Sequence, residues 1–467
     1  MDKVSAGKRE ELERTALRPL VRTGKGYWLV VGVLLLVFLW GLYAYVTQLR
    51  NGLVVTGMRD RISWGLYITL FVFFIGISHA GTLISAILRV VKAQWRTPVT
   101  RMAEFITVVA LSVGALMPII DMGHPDRVFN LVLHGRWQSP LVWDILAITT
   151  YLTGSIIYLY LPLIPDLALS RDRLGQGEAP GWKRRFYQIA AVGWHGTPVQ
   201  QKYLRIAMGF MMVLIIPVAV SVHTVVSWIF AMTLRDAWNS TVFGPYFVAG
   251  AIYSGVAALI LLMALLRKAF HLGAYITDKH FINLGYILGG FTLIMLYFNL
   301  QEYIVTGYKM AGEAPFHFLQ IFAGQFAPVF WFYILAGIVL PGLIILVPWT
   351  RTFAGVLVAA FLALAGMWVE RWIIVVAGLR VPLMPYEPSQ YAPTWVEWSI
   401  MAGAFAMFGL VIAFFVKLVP VVSVWEVGEQ YEEKAEKQEE LARPPLAPGI
   451  PVAAGAILHL PERQPDS

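Results

Sequence analysis

Cysteine is absent from these 467 residues. That excludes disulfides, iron–sulfur ligation by this chain and thiol-attached c-type haem. If the protein handles electrons, a partner must hold the metal centres or a diffusible carrier must bring them. Charge is also scarce: 14% of residues are Asp, Glu, Lys or Arg, against 58% hydrophobic, and the mean hydropathy is +0.66. A soluble domain needs far more polar surface, so the composition predicts a polytopic membrane protein. No G-x-x-x-x-G-K-S/T, H-E-x-x-H or G-x-S-x-G motif occurs. Nucleotide-driven transport and simple hydrolysis therefore have no support, and no metal site is expected.

What the chain does have is ten long apolar runs, at 27–49, 64–90, 101–120, 139–163, 203–229, 245–266, 281–306, 326–347, 354–377 and 395–418. Runs of about 20–27 residues cross a hydrocarbon core of ~30 Å. In lipid only helices or closed barrels satisfy the backbone, and runs this long are helices. The expected fold class is an all-α polytopic membrane protein with ten transmembrane helices. The first run starts near Tyr27 and is too long for a signal-peptide core, so it reads as a retained span.

An even number of spans puts both termini on one side. Lys and Arg concentrate in the termini and loops of that side, and Lys3, Lys8, Arg9, Arg14, Arg18, Arg22 and Lys25 all fall in the first 26 residues. By the positive-inside rule both termini are expected to be cytoplasmic. The net charge of +8 reflects this bias and not nucleic-acid binding. Three regions follow: a basic cytoplasmic tail at 1–26, a membrane domain at 27–418 and a cytoplasmic tail at 419–467. In the last, Trp425 and Glu426 precede a charged run, Glu429 to Glu440, which reads as a solvated helix. Pro444, Pro445, Pro448 and Pro451 argue for an extended or disordered end. The polar loop 164–202, with Asp172, Arg173, Lys183, Arg184 and Arg185, reads as a surface element. Outer loops 121–138, 307–325 and 378–394 carry Trp137, Phe316, Phe318, Pro382 and Pro385. They suit either a docked partner or an interfacial aromatic belt.

Charges in hydrocarbon are costly, so intramembrane acids and histidines are functional candidates. This topology puts Asp121, Asp144, Glu302 and Glu370 in the outer half. His79, among small residues in Gly76-Ile77-Ser78-His79-Ala80-Gly81, lies roughly 22 Å below the outer end of its span, and His223 roughly 9 Å below its own. Depths that differ by roughly 13 Å argue against a haem held between the two. The turn Asp121-Met122-Gly123-His124-Pro125-Asp126-Arg127 brings an acid, a His and an Arg to the lipid–water boundary, where a quinol head group would sit. Asp144, about one turn inside span four, is placed to accept a proton from a bound hydroxyl. Glu370 and Arg371 are adjacent and point in different directions, so each is expected to find a partner on a neighbouring helix. Glu104, Arg89 and Arg205 lie near inner ends, with His79 between the two halves. A His can relay protons near neutral pH, its unperturbed pKa being ~6.5. A proton chain through His79 toward the outer carboxylates, with Glu370 as its second counterpart, competes with a simple helix-end role for Glu104 and the arginines.

At these residues the chain resembles the NrfD/PsrC-type membrane subunits, and most of all the ActC-type subunit of alternative complex III. The matching stretches are Ser63-Trp64-Gly65-Leu66, the run from Gly76 to Leu88, Ser139-Pro140-Leu141-Val142-Trp143-Asp144, Ser221-Val222-His223, Pro245 to Ile252, and Trp368-Val369-Glu370-Arg371. The resemblance implies two four-helix bundles, spans two to five and six to nine, flanked by spans one and ten. It implies non-covalent binding and oxidation of menaquinol near the outer face of a bacterial inner membrane, with no haem or iron–sulfur cluster on this chain. Electrons would pass to a periplasmic iron–sulfur subunit and c-type haem subunits, beside a second NrfD-like membrane subunit. Where that subunit type has His-Leu-Gly-Arg-Pro, this chain has Asp121-Met122-Gly123-His124-Pro125. The rearrangement leaves open a polysulfide-reductase-like complex running toward quinone reduction.

On this reading His79, Asp121, His124 and Asp144 bond the head group and accept protons, and Arg127 stabilises developing negative charge. Glu104, His223, Glu302, Glu370 and Arg371 form the proton pathway. Two other readings stay open: a secondary transporter with a midplane polar site, against which no pair of Gly/Pro-broken spans stands out, and a passive anchor for redox subunits.

Overall fold

A computed structural model describes residues 3–430 apart from 94, 175–179, 311, 382–386 and 388. Pro382, Pro385, most of the charged run up to Glu440 and the proline-rich end to Leu460 lie outside the described residues. Among the described residues ten helices are long and apolar enough to cross a membrane: Lys25–Asn51, Leu66–Val90, Thr97–Asp121, Pro140–Leu174, Pro198–Ala231, Phe243–Phe270, Asp278–Lys309, Ala327–Leu346, Phe353–Arg380 and Trp395–Val416. They are spans one to ten below. The chain is a multi-pass membrane protein. With ten spans, the segments before span one and after span ten lie on one side, which we call the terminal face.

Local chemistry sets several boundaries. Span five starts at a capping box, Thr197 with Gln200, followed by Pro198, whose missing N–H costs nothing there. Span ten starts at Thr394 with Glu397 in the same arrangement. Spans eight and nine each contain a π-helical stretch, Tyr333–Val339 and Ile373–Ala377. Such widened turns are frequent at functional sites.

Spans two to five pack as one four-helix bundle and spans six to nine as another, with spans two and six forming the seam between them. Spans one and ten pair with each other and dock on spans two and three. Glycine permits that pairing: a Cβ on Gly41 would lie 2.7 Å from the Gly403 Cα. Small residues let membrane helices touch backbone to backbone.

Two readings of the polar segments need correction. Span four does not stop near Leu163; it runs to Leu174 and buries Asp166 and Ser170. Pro162 and Pro165 are carried inside the helix, because Leu163, Leu167 and Ala168 have core to cover. Nor is the following segment a simple surface loop. Its helix Gly181–Ala190 buries Lys183, which donates to the Leu20 and Lys417 carbonyls at 2.7 and 2.8 Å. The basic tail also has structure: Lys3–Val21 is a helix whose Leu12, Ala16, Leu17 and Leu20 are buried.

Candidate functional site

The middle of the domain holds a polar cluster on the bundle seam. His79 of span two and His223 of span five face each other with ring centroids 3.7 Å apart. Neither ring nitrogen of either residue has a hydrogen-bond partner among the described residues. Counting depth from each helix's own end had separated them, an argument that assumes level ends. The rings nonetheless touch. The separation leaves no room for a porphyrin between them.

Arg371 is buried on span nine. Its guanidinium stacks 5.0 Å above the Phe247 ring, and a Cβ at Gly250 would come within 2.7 Å of its Nη2. Gly250 is thus where span six makes room for the guanidinium. Glu370 and Arg371 do pair with each other, at 2.9 Å, contrary to expectation. Both side chains are buried, and their length outweighs the difference in direction between neighbours on a helix. Glu370 Oε2 accepts no other bond and Arg371 Nη2 makes none among the described residues.

From this centre two polar rows diverge. Toward the terminal face, Tyr151, Ser155 and Tyr158 line one side of span four, spaced by four and three residues. The Tyr151 ring is 5.8 Å from that of His79, and the Tyr158 hydroxyl is 3.2 Å from Ser85 Oγ. Ser85 donates to Glu104 at 2.6 Å. Toward the opposite face, within the second bundle, the Tyr246 and Tyr333 hydroxyls are 3.2 Å apart and Asn299 Nδ2 donates to Tyr333 at 2.8 Å. Tyr246, Asn299, Glu302, Tyr303 and His317 then line a cavity of about 60 Å³. Ser240 donates to Glu302 at 2.5 Å. Burial holds the half-buried His317 imidazole down at about 4, so it stands neutral at physiological pH.

At the opposite end of the first bundle, Asp144 is buried with Oδ1 unpartnered among the described residues, and Asp121 Oδ1 is in the same state. Beside Asp121, the Tyr67 hydroxyl donates to Gln48, which donates to the Ile120 carbonyl. His124 and Arg127 are exposed on the turn above, with His124 Nδ1 3.8 Å from Asp126. The structure therefore separates the head-group candidates: Asp121, His124, Arg127 and Asp144 belong to this end, while His79 belongs to the central pair.

The terminal end of the first bundle is closed by charge. Arg89 bridges Glu104 at 2.8 Å and Glu426 at 2.9 Å, and Arg96 reaches Glu426 at 3.1 Å. Arg101 binds Asp166 at 2.9 Å and Ser423 at 3.1 Å, and the Trp425 amide donates to Asp166. Burial raises the Glu426 carboxyl, but Arg89, Arg96 and Arg101 outweigh it and hold the group below its usual range. Carboxylates therefore gather at both ends of the bundle, not at one face alone.

Several of these groups escaped the sequence reading. Glu397 is buried at the start of span ten, accepting from the Gly57 and Thr394 amides at 2.6 and 2.9 Å and from the Tyr391 hydroxyl. Its signal was the Thr-x-x-Glu capping box. Asp166 falls within the 164–202 segment that reads as a surface element, and Glu426 precedes the charged run, so neither stands out in the sequence as a buried acid. The hydroxyl row on span four could have been found from its helical spacing.

A family model described as polysulphide reductase, NrfD, matches residues 54–382. The chain belongs to the NrfD family. One relative, from Halobacterium salinarum, is provisionally named as a membrane component of a dimethyl sulfoxide reductase; it is 28% identical over 88% of this chain and 95% of its own. The Hdr-like menaquinol oxidoreductase integral membrane subunit of Archaeoglobus fulgidus is 26% identical, over 87% and 96%. The menaquinone reductase integral membrane subunit of Nitratidesulfovibrio vulgaris is 26% identical, over 82% and 89%. Each of these matches covers more than four-fifths of this NrfD-family chain.

Proposed function

We propose that this chain is the quinol-oxidising membrane subunit of a respiratory or photosynthetic complex of the alternative complex III type. It sits in a bacterial inner membrane with both termini cytoplasmic. The observation that carries the reading is Asp144, a buried and under-bonded carboxylate at the end of the first bundle opposite the termini. Two relatives named for menaquinol and menaquinone reactions support the substrate class.

A menaquinol head group enters from lipid at that end. Oxidation releases two protons and two electrons. Asp144 and Asp121 take up protons within hydrogen-bond reach of the hydroxyls, and the exposed His124 passes them to the aqueous side. Arg127 offsets the negative charge that develops as the hydroxyls deprotonate. The electrons leave to a periplasmic iron–sulfur subunit and on to c-type haem subunits, since this chain has no thiol to hold a cluster. The assembly also includes a second NrfD-like membrane subunit.

Proton movement through the domain is the second part of the proposal. The row from Glu104 through Ser85, Tyr158, Ser155 and Tyr151 leads to His79 and His223. Arg371 and Glu370 carry the path across the seam to Tyr246 and Tyr333, and Glu302 lies at its exit. One alternative has a specific observation behind it. The rearranged 121–125 turn and the relative named a menaquinone reductase favour a complex running toward quinone reduction, in which the same carboxylates deliver protons.

The test is Asp144→Asn in the intact complex. Menaquinol-analogue oxidation should fall by about a hundredfold or more, the scale of a lost general base, while an artificial donor still reduces the partner subunits at the parental rate. Equal turnover of the quinol by the variant and the parent would contradict the assignment.

A further inference from the structure

A large groove lies away from all of these groups. It has a volume of about 1450 Å³ and runs between the span one–span ten pair and spans two, six and nine. Its walls are apolar: Phe73 and Phe74 of span two, Leu261 and Leu265 of span six, Phe405 and Phe408 of span ten. On span six it extends from Ala258 to His271. That is roughly 20 Å at helical rise, a little more than the ~15 Å of one leaflet's hydrocarbon.

Only the terminal end of the groove is polar. There the helix Lys3–Val21 and the residues after it contribute Arg14, Arg18 and Arg22, spaced by four. Residues four apart share a helix face. All three are exposed, and none pairs with a carboxylate among the described residues. Among the described residues Glu11 is the one acid on this rim. The rim is also fixed in place. Lys417 donates to the Pro19 and Arg22 carbonyls at 2.8 Å each, and Lys183 to Leu20. The stripe is thus anchored to the end of span ten as a built feature.

We propose that this groove holds one anionic, two-chain phospholipid from the leaflet on the terminal face. Its acyl chains lie against the phenylalanine and leucine walls, and its phosphate is held by Arg14, Arg18 and Arg22. Length and charge both select this occupant. The apolar part matches a single leaflet, and an unpaired arginine stripe at the head-group level complements a negative charge. An isoprenoid quinone would fill the chains' space but leave the arginines without an anion.

The experiment is lipid analysis by native mass spectrometry of the whole complex, purified in mild detergent from its own membranes. The expected result is one anionic phospholipid retained per chain. In R14Q/R18Q/R22Q retention should be on the order of a hundredfold weaker, because each basic residue near the head groups contributes about fivefold. Arg→Lys at the same three positions should restore it. Ala269→Trp, on an exposed groove wall, should also expel the lipid while leaving the arginines in place. Undiminished lipid in R14Q/R18Q/R22Q, equal retention of a zwitterionic lipid, or a quinone or second polypeptide in the groove would each overturn the proposal. None of these outcomes depends on quinol turnover.

Discussion

His79 and His223 stand ring to ring, 3.7 Å between centroids, on two helices of the first bundle. Four ring nitrogens there lack protein partners among the described residues. A buried pair with open donor and acceptor positions is a suitable relay point, since each ring can take a proton on one nitrogen and release it from the other.

The pair yields the first prediction. In vesicles carrying the complex, His79→Ala should leave quinol turnover largely intact and lower the protons moved per electron. His223→Ala should do the same, and the double variant should be no worse than either, because contacting residues in one network are not additive. If all three variants keep the parental proton-to-electron ratio, the relay is wrong.

Glu370 and Arg371 give a stability prediction. Removing one member of a buried ion pair leaves an uncompensated charge, at a cost of about 3–5 kcal/mol. Thermal unfolding should therefore show Arg371→Met well below the parent. Glu370→Gln with Arg371→Met should recover part of the loss, because no lone charge remains. A double variant less stable than Arg371→Met alone would count against a pair that acts as a unit.

Glu426 gives a pH prediction. Its folded carboxyl is held below the ordinary value of 4.5. Its stabilising contribution is therefore complete above that value and fades as pH falls through the lower, folded one. Glu426→Gln should cost about 3 kcal/mol at pH 7, where Arg96 loses its carboxylate and Arg89 keeps only Glu104. The gap between variant and parent should narrow as pH drops below 4.5. A gap that stays constant with acidification would show that Glu426 acts through packing and not charge.

Much of the architecture was legible in the sequence. Ten apolar runs became ten spanning helices because lipid leaves the backbone no other choice. Where polar residues follow an apolar run, burial was not legible: Asp166 falls in the 164–202 segment, yet Arg101 draws it into the bundle. Glu426 precedes a charged tail, yet three arginines hold it inside. Pairing between distant spans is not a local property. No spacing along the chain announces that His79 meets His223, and counting rise from helix ends rests on level, untilted helices.

The central claim is that a quinol head group reacts at the outer end of the first bundle. The most direct measurement is photolabelling of the intact complex with a photoreactive menaquinone analogue, followed by mapping of the labelled peptides. The account predicts label within the 121–144 region, abolished by excess menaquinol analogue. Label found only at the terminal ends of the helices, or label that menaquinol does not displace, would contradict it.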